Sequence, residues 1–197
     1  TYRPTTSTCF IVTRPKLREV FAANFRDRIV QHWLCLRLEP LFEARFVEHG
    51  NVSFNCRKGF GTFACIDQLT KNTIEVSDNY SHEAWYAQFD IKGFFDNVNH
   101  SKLIRQIWSL GIHDKTLIFI IKRILTAPIK MPDNTTVLPN KGTPQGGIIS
   151  PLLANIVLNE LDWWIASQWE ENPIAISRGR ERIIGKTKVF DKSHGYR

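Results

Sequence analysis

Near the start of the chain, the hydrophobic and polar positions fall into short runs that favour β-strands. Residues 8–23 contain two runs rich in β-branched and aromatic side chains, and the segment Arg14-Pro15-Lys16 separates them. Short runs of this kind joined by a turn are typical of antiparallel strands. The pattern therefore predicts a β-hairpin with a basic tip.

The next stretch changes to a helical pattern. In residues 26–47, Ile29, Trp33 and Leu36 recur at helical spacing. Pro40 continues this spacing, but a proline inside a helix lacks the N–H donor and crowds the preceding turn. We therefore predict a helix over 26–47 that Pro40 bends or divides.

The rest of the pattern divides the chain into two lobes at the polar, turn-rich residues 77–83. Alternation in residues 84–89 predicts a strand that ends at Asp90. The stretch 128–139 predicts a second hairpin with Asp133 at its turn. Further helices are predicted at 62–76, 100–110, 114–127 and 148–170.

The composition agrees with a folded domain that has a polyanionic partner. The 197 residues are 43% hydrophobic, which suffices for the core of one domain or somewhat more. The formal net charge is +7; a basic balance agrees with a nucleic-acid partner but does not establish one. No apolar run approaches the roughly 20 residues of a membrane span, so no membrane partner is expected.

The cysteines do not form a metal-binding or disulfide pattern. The sequence contains Cys9, Cys35, Cys56 and Cys65, and no pair has the short spacing of a zinc site. A chain of this length and hydrophobicity does not need a disulfide framework. We therefore expect reduced, mostly buried thiols.

One segment combines a carboxylate with a small residue at the end of the predicted strand. It runs Tyr86-Ala-Gln-Phe-Asp90-Ile-Lys-Gly-Phe-Phe95-Asp96-Asn-Val-Asn-His100. A carboxylate at a strand end, beside the open backbone of Gly93, suits a divalent ion; a helix cap or a surface turn is the alternative. Asp96, Asn99 or Ser101 is expected to cap the next helix, and His100 is expected to be structural.

A second segment is a glycine-rich turn that leads into a helix. It runs Gly142-Thr-Pro-Gln145-Gly146-Gly147-Ile-Ile-Ser150-Pro151-Leu-Leu-Ala-Asn155. Glycines let the backbone approach a ligand closely, and helix N-termini favour phosphate groups. The lysine-containing pattern of a nucleotide P-loop is absent. Core packing is expected for Leu152, Leu153, Ile156 and Leu161.

In this order and at this spacing, the two segments resemble motifs A and B of a reverse transcriptase of the group II intron (maturase) type. The resemblance covers roughly residues 10–165. It implies an α+β fold, with right-hand polymerase fingers at 1–83 and a partial palm with an antiparallel sheet at 84–170. Residues 171–197 are expected to be a basic insertion or a segment leading to the missing motif C.

The resemblance also implies roles for the motif residues. Asp90 would be the catalytic metal ligand and the backbone carbonyl of Ile91 an auxiliary one, at a site for two Mg²⁺ ions in the complete enzyme. Phe95 would lie under the nucleotide sugar and favour deoxynucleotides, because its ring would clash with a 2′-hydroxyl. Gln145 would lie against the incoming nucleotide, and Gly146 would allow close packing near it and the template.

Basic residues outside the two motifs complete the implied site. Arg18 is the first candidate for a triphosphate contact and Lys16 the second, because a basic fingers hairpin folds over the triphosphate in a polymerase. A solvated hairpin, and a plain surface loop at 55–61, are the alternatives. The candidates for RNA or template contacts are Arg14, Arg26, Arg28, Arg57 and Lys58.

The family's motif C, an aromatic-Ala-Asp-Asp hairpin, has no counterpart here, because the sequence contains no Asp-Asp pair. The late acids Asp162 and Asp191 have the wrong setting. Since two metal ions need more carboxylate than Asp90 provides, we expect this chain by itself not to polymerise DNA.

The resemblance implies an RNA-directed DNA polymerase that also binds intron RNA and assists its splicing. Its partners would be template and intron RNA, a DNA primer and deoxynucleoside triphosphates, in a cytoplasmic, nucleic-acid-associated location of bacterial or organellar type. The oligomeric state is open, with a homodimer as one option. The alternatives are a non-catalytic RNA-binding maturase module and another bacterial reverse transcriptase, of the retron or diversity-generating type.

Overall fold

The computed structural model describes residues 2–48, 52–167, 180–184 and 187–191. The strands in these ranges are β1 (Ser7–Val12), β2 (Arg18–Ala22), β3 (Ile129–Lys130), β4 (Thr136–Val137), β5 (Arg180–Ile184) and β6 (Thr187–Asp191). The helices are α1 (Phe25–Glu48), α2 (Thr62–Val76), α3 (Phe94–Asn97), α4 (His100–Ser109), α5 (Lys115–Leu125) and α6 (Ser150–Ile165). Both predicted hairpins and the predicted helices are confirmed, except that the last three residues of the helix predicted at 148–170 lie outside the described residues.

The first four strands form one sheet in the order β2-β1-β3-β4. The β1–β2 and β3–β4 hairpins are antiparallel, whereas β1 and β3 pair in parallel, with Ser7 opposite Ile129. A parallel pair needs a long crossover, and α1 to α5 supply it here. The predicted α+β class is confirmed, and the sheet is antiparallel apart from this pairing. Strands β5 and β6 form a separate antiparallel hairpin.

Helices α1, α4, α5 and α6 share one hydrophobic core. Burying one such aliphatic or aromatic side chain contributes roughly 1.5–3 kcal/mol, so this cluster fixes how the helices sit together. It therefore packs α4, which follows motif A, against α6, which begins in motif B. Its most deeply buried members include Leu34, Leu38, Phe42, Leu103, Ile107, Ile121, Leu125, Leu153 and Ile156.

Helix α1 differs from its prediction in two ways. It runs unbroken through Pro40, so the expected division does not occur. Proline leaves the carbonyl four residues earlier without its helical partner; that residue is Leu36, which is exposed and can reach water. Ile29, Trp33 and Leu36 keep their helical spacing but lie on the solvent side, at 55%, 53% and 58% exposure. Both faces of α1 carry apolar residues, so spacing alone did not identify the buried one.

The strand predicted at 84–89 is wrong, because residues 83–91 have no regular secondary structure. A strand needs a neighbour that pairs with its N–H and C=O groups. No strand in the described part of the chain pairs with this segment. Its aromatic side chains Trp85, Tyr86 and Phe89 are accordingly 88%, 80% and 89% exposed.

The cysteines are unpaired, as expected, but only Cys9 and Cys35 are buried. Cys65 lies on α2, which buries none of its residues, and Cys56 lies in an exposed turn, so the prediction of mostly buried thiols is wrong for these two. Burial, together with the nearby charge of Glu39, raises the pKa of Cys35 to about 11. Of the leucines assigned to the core, Leu161 is 44% exposed. Within the described ranges, no helix is both long and apolar enough to cross a bilayer.

Candidate active site

Motif A places Asp90 in an exposed, irregular segment just before a tight turn. Gly93 in that turn has φ +59°, and its carbonyl accepts a hydrogen bond of 2.9 Å from the Asn97 side chain. This turn starts the short helix α3 directly after Asp90. The Asp90 carboxylate has no hydrogen bond or ion pair with another described residue, so it is accessible to a ligand.

Main-chain hydrogen bonds join motif A to motif B. The Gly142 N–H donates to the Val98 carbonyl and the Thr143 N–H donates to the Phe95 carbonyl, each at 2.7 Å. Gly142 has φ +84°, and a Cβ there would lie 3.0 Å from the carbonyl oxygens of Phe95 and Asp96. Only glycine meets both conditions without strain. The structure therefore brings the two predicted motifs into direct backbone contact at Phe95.

His100 strengthens this junction. Its Nε2 lies 2.6 Å from the Gly142 carbonyl oxygen, which can only accept, so Nε2 carries the proton in this contact. Asn99 caps α4, because its side chain accepts a 2.9 Å hydrogen bond from the Lys102 N–H. The structural role predicted for His100 is confirmed, and Asn99 is the cap among the three candidates.

The loop of motif B also contacts the N-terminal hairpin. The Phe21 N–H of β2 donates to the Gln145 carbonyl at 2.7 Å. Gly146 has φ +97°, and a Cβ there would lie 2.8 Å from Val20 Cγ1. The family resemblance implies that Gly146 allows packing near the nucleotide and template, and in the structure its near neighbours are Val20 and Phe21 of the hairpin.

Two residues on α1 that sequence analysis did not select also hold this region. The Gln31 side-chain oxygen accepts a 3.0 Å hydrogen bond from the Ile148 N–H in the motif B loop. Asp27, one turn earlier, accepts hydrogen bonds from the Tyr2 hydroxyl at 2.7 Å and the Thr5 N–H at 2.8 Å. Both are almost fully buried. In the sequence, the sign of their burial is that two polar residues lie four positions apart on the helix face that also carries the buried Leu34.

Asp27 is charged although it is buried. Burial alone would raise the pKa of its carboxyl group, but hydrogen bonds from Thr5 and Tyr2 and the nearby charge of Arg26 outweigh burial and lower this pKa. The hydrogen bond between Tyr2 and Asp27 has the opposite effect on Tyr2. Burial and the Asp27 carboxylate raise the pKa of the Tyr2 hydroxyl. An ionised Asp27 therefore ties the N-terminal segment to the first turn of α1.

The candidate triphosphate and template cations are spread over the hairpin and the start of α1. Arg14, Lys16 and Arg18 are exposed, with Arg18 at the start of β2 opposite Val12. Arg26 and Arg28 are exposed on the first turn of α1. Arg26 donates to the Arg3 carbonyl at 3.0 Å, and the Arg28 guanidinium lies 5.8 Å from the centre of the Phe25 ring. These five guanidinium and ammonium groups are therefore open to solvent on the hairpin side of the molecule.

Arg57 has a different environment from the phosphate contact expected of it. It is 6% exposed, and its Nε lies 3.0 and 3.1 Å from the two carboxylate oxygens of Glu43 on α1. Its guanidinium also lies 4.2 Å from the Phe60 ring centre and 5.3 Å from that of Phe46. In this structure Arg57 fastens the loop after α1 to the helix, whereas its neighbour Lys58 is exposed.

Asp162 on α6 lies in the same region. Burial raises the pKa of its carboxyl group, and the charge of Arg57 partly offsets this effect. A half-buried acid beside a guanidinium group is less accessible to a metal ion than the exposed carboxylate of Asp90. This agrees with the expectation that Asp162 does not replace the acid of motif C; the side chain of the other late acid, Asp191, lies outside the described part.

The described residues of motif A offer oxygen donors of the kind that bind a divalent ion. In the ranges that the structure covers, no three His, Cys, Asp or Glu side chains lie close enough to hold a metal ion. Motif A offers the exposed carboxylate of Asp90 and the backbone carbonyl of Ile91, and oxygen donors are what Mg²⁺ prefers. These donors fit a hard cation, and further carboxylates are needed to complete its coordination.

With this geometry in place, comparison with known proteins identifies the class. The family described as "Reverse transcriptase (RNA-dependent DNA polymerase)" matches residues 13–180. The chain belongs to the reverse transcriptase family, whose members generally use a divalent metal. The recognition based on motifs A and B, and the polymerase fold that it implied, are confirmed.

Individual relatives carry intron-related names. The chain is 30% identical over 192 residues to the "Putative COX1/OXI3 intron 1 protein" of Saccharomyces cerevisiae, covering 91% of this chain and 21% of the relative. It is 33% identical over 153 residues to "Group II intron-encoded protein LtrA" of Lactococcus lactis subsp. cremoris, covering 76% and 23%. It is 26% identical over 185 residues to "Nuclear intron maturase 2, mitochondrial" of Arabidopsis thaliana, covering 73% and 23%. The chain thus spans about a fifth of the length of these relatives.

A solved structure is also similar. A chain of the "Partial Cas6-RT-Cas1--Cas2 complex" overlaps 86% of this chain and 27% of its own length, with 26% identity and a TM-score of 0.48.

Proposed function

We propose that this chain provides the fingers lobe (1–83) and part of the palm (84–170) of an RNA-directed DNA polymerase of the group II intron type. In the reaction, the 3′-hydroxyl of a DNA primer attacks the α-phosphate of a deoxynucleoside triphosphate, and pyrophosphate leaves. The observation that carries the proposal is the backbone junction between Phe95 and Thr143. It supports a single site built from motif A on one side and motif B on the other.

Asp90 is the proposed catalytic residue. Its carboxylate and the Ile91 carbonyl would hold one of two Mg²⁺ ions, and the bound metal would neutralise charge that develops on the reacting phosphate. Their accessibility supports this role. Because no three acidic, His or Cys side chains cluster among the described residues, the chain would need acids from elsewhere to polymerise DNA, and in isolation it would be inactive.

The remaining nucleotide and nucleic-acid contacts are proposed from the family resemblance and from the exposure of the basic side chains. Phe95 would discriminate against a 2′-hydroxyl, and Gln145 and Gly146 would form the wall behind the nucleotide. Arg18, followed by Lys16, would bind the triphosphate, because arginine pairs with phosphate oxygens at two points. Template and intron RNA phosphates would contact Arg14, Arg26, Arg28 and Lys58. Arg57 is left out of this set because it is buried against Glu43.

The intron type rests on motif B and on the names of the relatives, one of which is a group II intron-encoded protein and another an intron maturase. We therefore include intron RNA binding and splicing assistance in the proposal, at a nucleic-acid-associated location of bacterial or organellar type. A homodimer remains a prediction, which light scattering of the purified protein would test. Residues 171–197 remain assigned as a basic insertion or a segment leading to motif C.

The test compares Asp90→Asn with wild type in the full-length gene product. We expect RNA-templated incorporation of deoxynucleotides to fall by about 100-fold or more, as is usual when transition-state charge stabilisation is removed. RNA affinity should stay within about twofold, because this acid contacts no RNA phosphate. Asp67→Asn on the exposed face of α2 is the matched control and should be active.

The outcomes separate the two classes of function. Incorporation by wild type that is lost only in Asp90→Asn supports the polymerase. Tight RNA binding without incorporation by wild type would instead favour the non-catalytic maturase module. The exposed basic side chains of the hairpin and α1 support that alternative, because they need no metal to bind RNA.

A further inference from the structure

Gln31 occupies an unusual position for a polar side chain. It lies on α1, is 4% exposed, and reaches a loop 117 residues away in sequence. Its side-chain oxygen accepts the Ile148 N–H at 3.0 Å. Buried polar groups are destabilising unless they are hydrogen-bonded, so this contact is needed to balance the burial of the amide.

The peptide group that Gln31 holds lies just before α6. The first N–H groups of a helix and those just before it lack intrahelical acceptors, and a side chain is one of the groups that can supply one. One turn further along α1, the Cys35 thiol lies 3.7 Å from the Ile148 carbonyl oxygen. Residue 148 is therefore held by α1 through both its N–H and its carbonyl group.

The other end of the same loop is held by the hairpin. The Phe21 N–H donates to the Gln145 carbonyl at 2.7 Å, and Gly146 packs against Val20. Residues 145–148 thus span between β2 and α1, with a fixed contact at each end. The position of the Gln145 side chain depends on both contacts.

We propose that Gln31 is a positioning residue for nucleotide binding, which acts by fixing the motif B loop and does not touch the nucleotide. This inference rests on the proposed function, because it assumes that Gln145 and Gly146 face the incoming nucleotide. Loss of the Gln31 contact leaves the hairpin contact at Gln145 and only the weaker contact of the Cys35 thiol at residue 148, which loosens the loop there. The nucleotide then binds to a loop that samples several positions, which weakens binding more than it slows chemistry.

The test uses Gln31→Met in the full-length gene product, since methionine keeps the length of the side chain and removes the acceptor. We expect KM for the deoxynucleotide to rise about fivefold, the equilibrium factor of one net hydrogen bond. The value of kcat should change less than twofold, and RNA affinity should not change. Gln68→Met, on the exposed face of α2, is the matched control and should leave all three quantities unchanged.

A second readout does not depend on activity. Amide hydrogen exchange at Ile148 should accelerate in Gln31→Met and not in Gln68→Met, because the N–H loses its acceptor. If Gln31→Met unfolds at the assay temperature, Gln31→Asn replaces it, because its amide is one methylene too short to reach Ile148. The same changes in KM and exchange are expected.

The experiments distinguish failure of the proposed function from failure of the positioning role of Gln31. A wild-type protein without incorporation would overturn the proposed function. If the wild type is active and the Gln31 variants leave KM unchanged, the positioning role alone is overturned. The same holds if these variants lower kcat and RNA affinity together with a change in KM. Unchanged exchange at Ile148 would overturn the contact itself.

Discussion

Replacing Arg57 with methionine tests whether this residue is structural or contacts RNA. Methionine has a similar length and no charge, so the change removes the contacts with the Glu43 carboxylate and keeps much of the packing on Phe60 and Phe46. Hydrogen bonds to a charged group contribute about 1.5–3 kcal/mol. The Glu43 side chain is 37% exposed and would stay partly hydrated when left alone, which favours the lower half of that range.

The loss of cation–π contact with two rings adds about 0.5–1 kcal/mol, part of which the methionine sulfur restores. We therefore expect a loss of about 2–3 kcal/mol in the free energy of unfolding. For a chain of this size, this corresponds to a fall in Tm of roughly 4–12 °C. Thermal unfolding followed by circular dichroism measures this fall, and the salt dependence of RNA affinity is measured on the same samples.

Lys58→Met is the matched control, because it removes a neighbouring but exposed charge. It should change stability by less than about 0.5 kcal/mol. If Lys58 contacts a phosphate, the slope of log affinity against log salt should fall by about 0.7 for single-stranded RNA. The reasoning is refuted if Arg57→Met keeps the wild-type Tm and reduces the salt slope, because Arg57 would then face the RNA.

Two further changes test the contacts around motif B and α1. Asp27→Asn should lower the free energy of unfolding by about 2 kcal/mol at neutral pH. Because the pKa of Asp27 is lower in the folded chain, its contribution to stability is present above the unfolded pKa of about 3.9 and is lost as pH falls through the folded pKa. Urea unfolding at several pH values should therefore show the free energies of unfolding of wild type and Asp27→Asn converging in acid. A difference that stays constant with pH would contradict this. Gly146→Ala should lower the free energy of unfolding by about 1–3 kcal/mol, because alanine is strained at φ +97° and its Cβ would lie 2.8 Å from Val20 Cγ1. In urea unfolding, the double variant with Val20→Ala should recover part of this loss. Wild-type stability of Gly146→Ala alone would rule out the close contact.

Sequence patterns identified the elements whose signals are local. The hairpins, the helix over 62–76 and the cap of α4 depend on neighbouring residues, and the structure has them where expected. The motif residues Phe95 and Gly142 could be selected because the order and spacing of motifs A and B are distinctive. The hydrogen bonds that join the two motifs could not be predicted, because they depend on how α3 and the motif B loop meet in three dimensions.

The differences between the predictions and the structure also have physical causes. Residues 84–89 carry the alternation of a strand, but pairing requires a partner, and alternation contains no information about one. Arg57 looked like a phosphate ligand because charge is visible in a sequence, whereas the Glu43 carboxylate and the Phe46 ring that contact it lie on α1, more than ten residues away. Gln31 was missed for the reverse reason, since an amide in a helix has no signal until its partner is known.

The central proposal is that motifs A and B meet around one deoxynucleotide at Phe95. Its most direct test is the preference of the full-length gene product for deoxynucleotides over ribonucleotides on an RNA template, compared between wild type and Phe95→Ala. We expect the preference to fall by at least roughly tenfold, because the removed ring would no longer exclude the 2′-hydroxyl. Phe94→Ala removes the adjacent ring, whose centre is 5.6 Å from that of Phe95, and should preserve the preference. An unchanged preference in an active Phe95→Ala enzyme would contradict the claim.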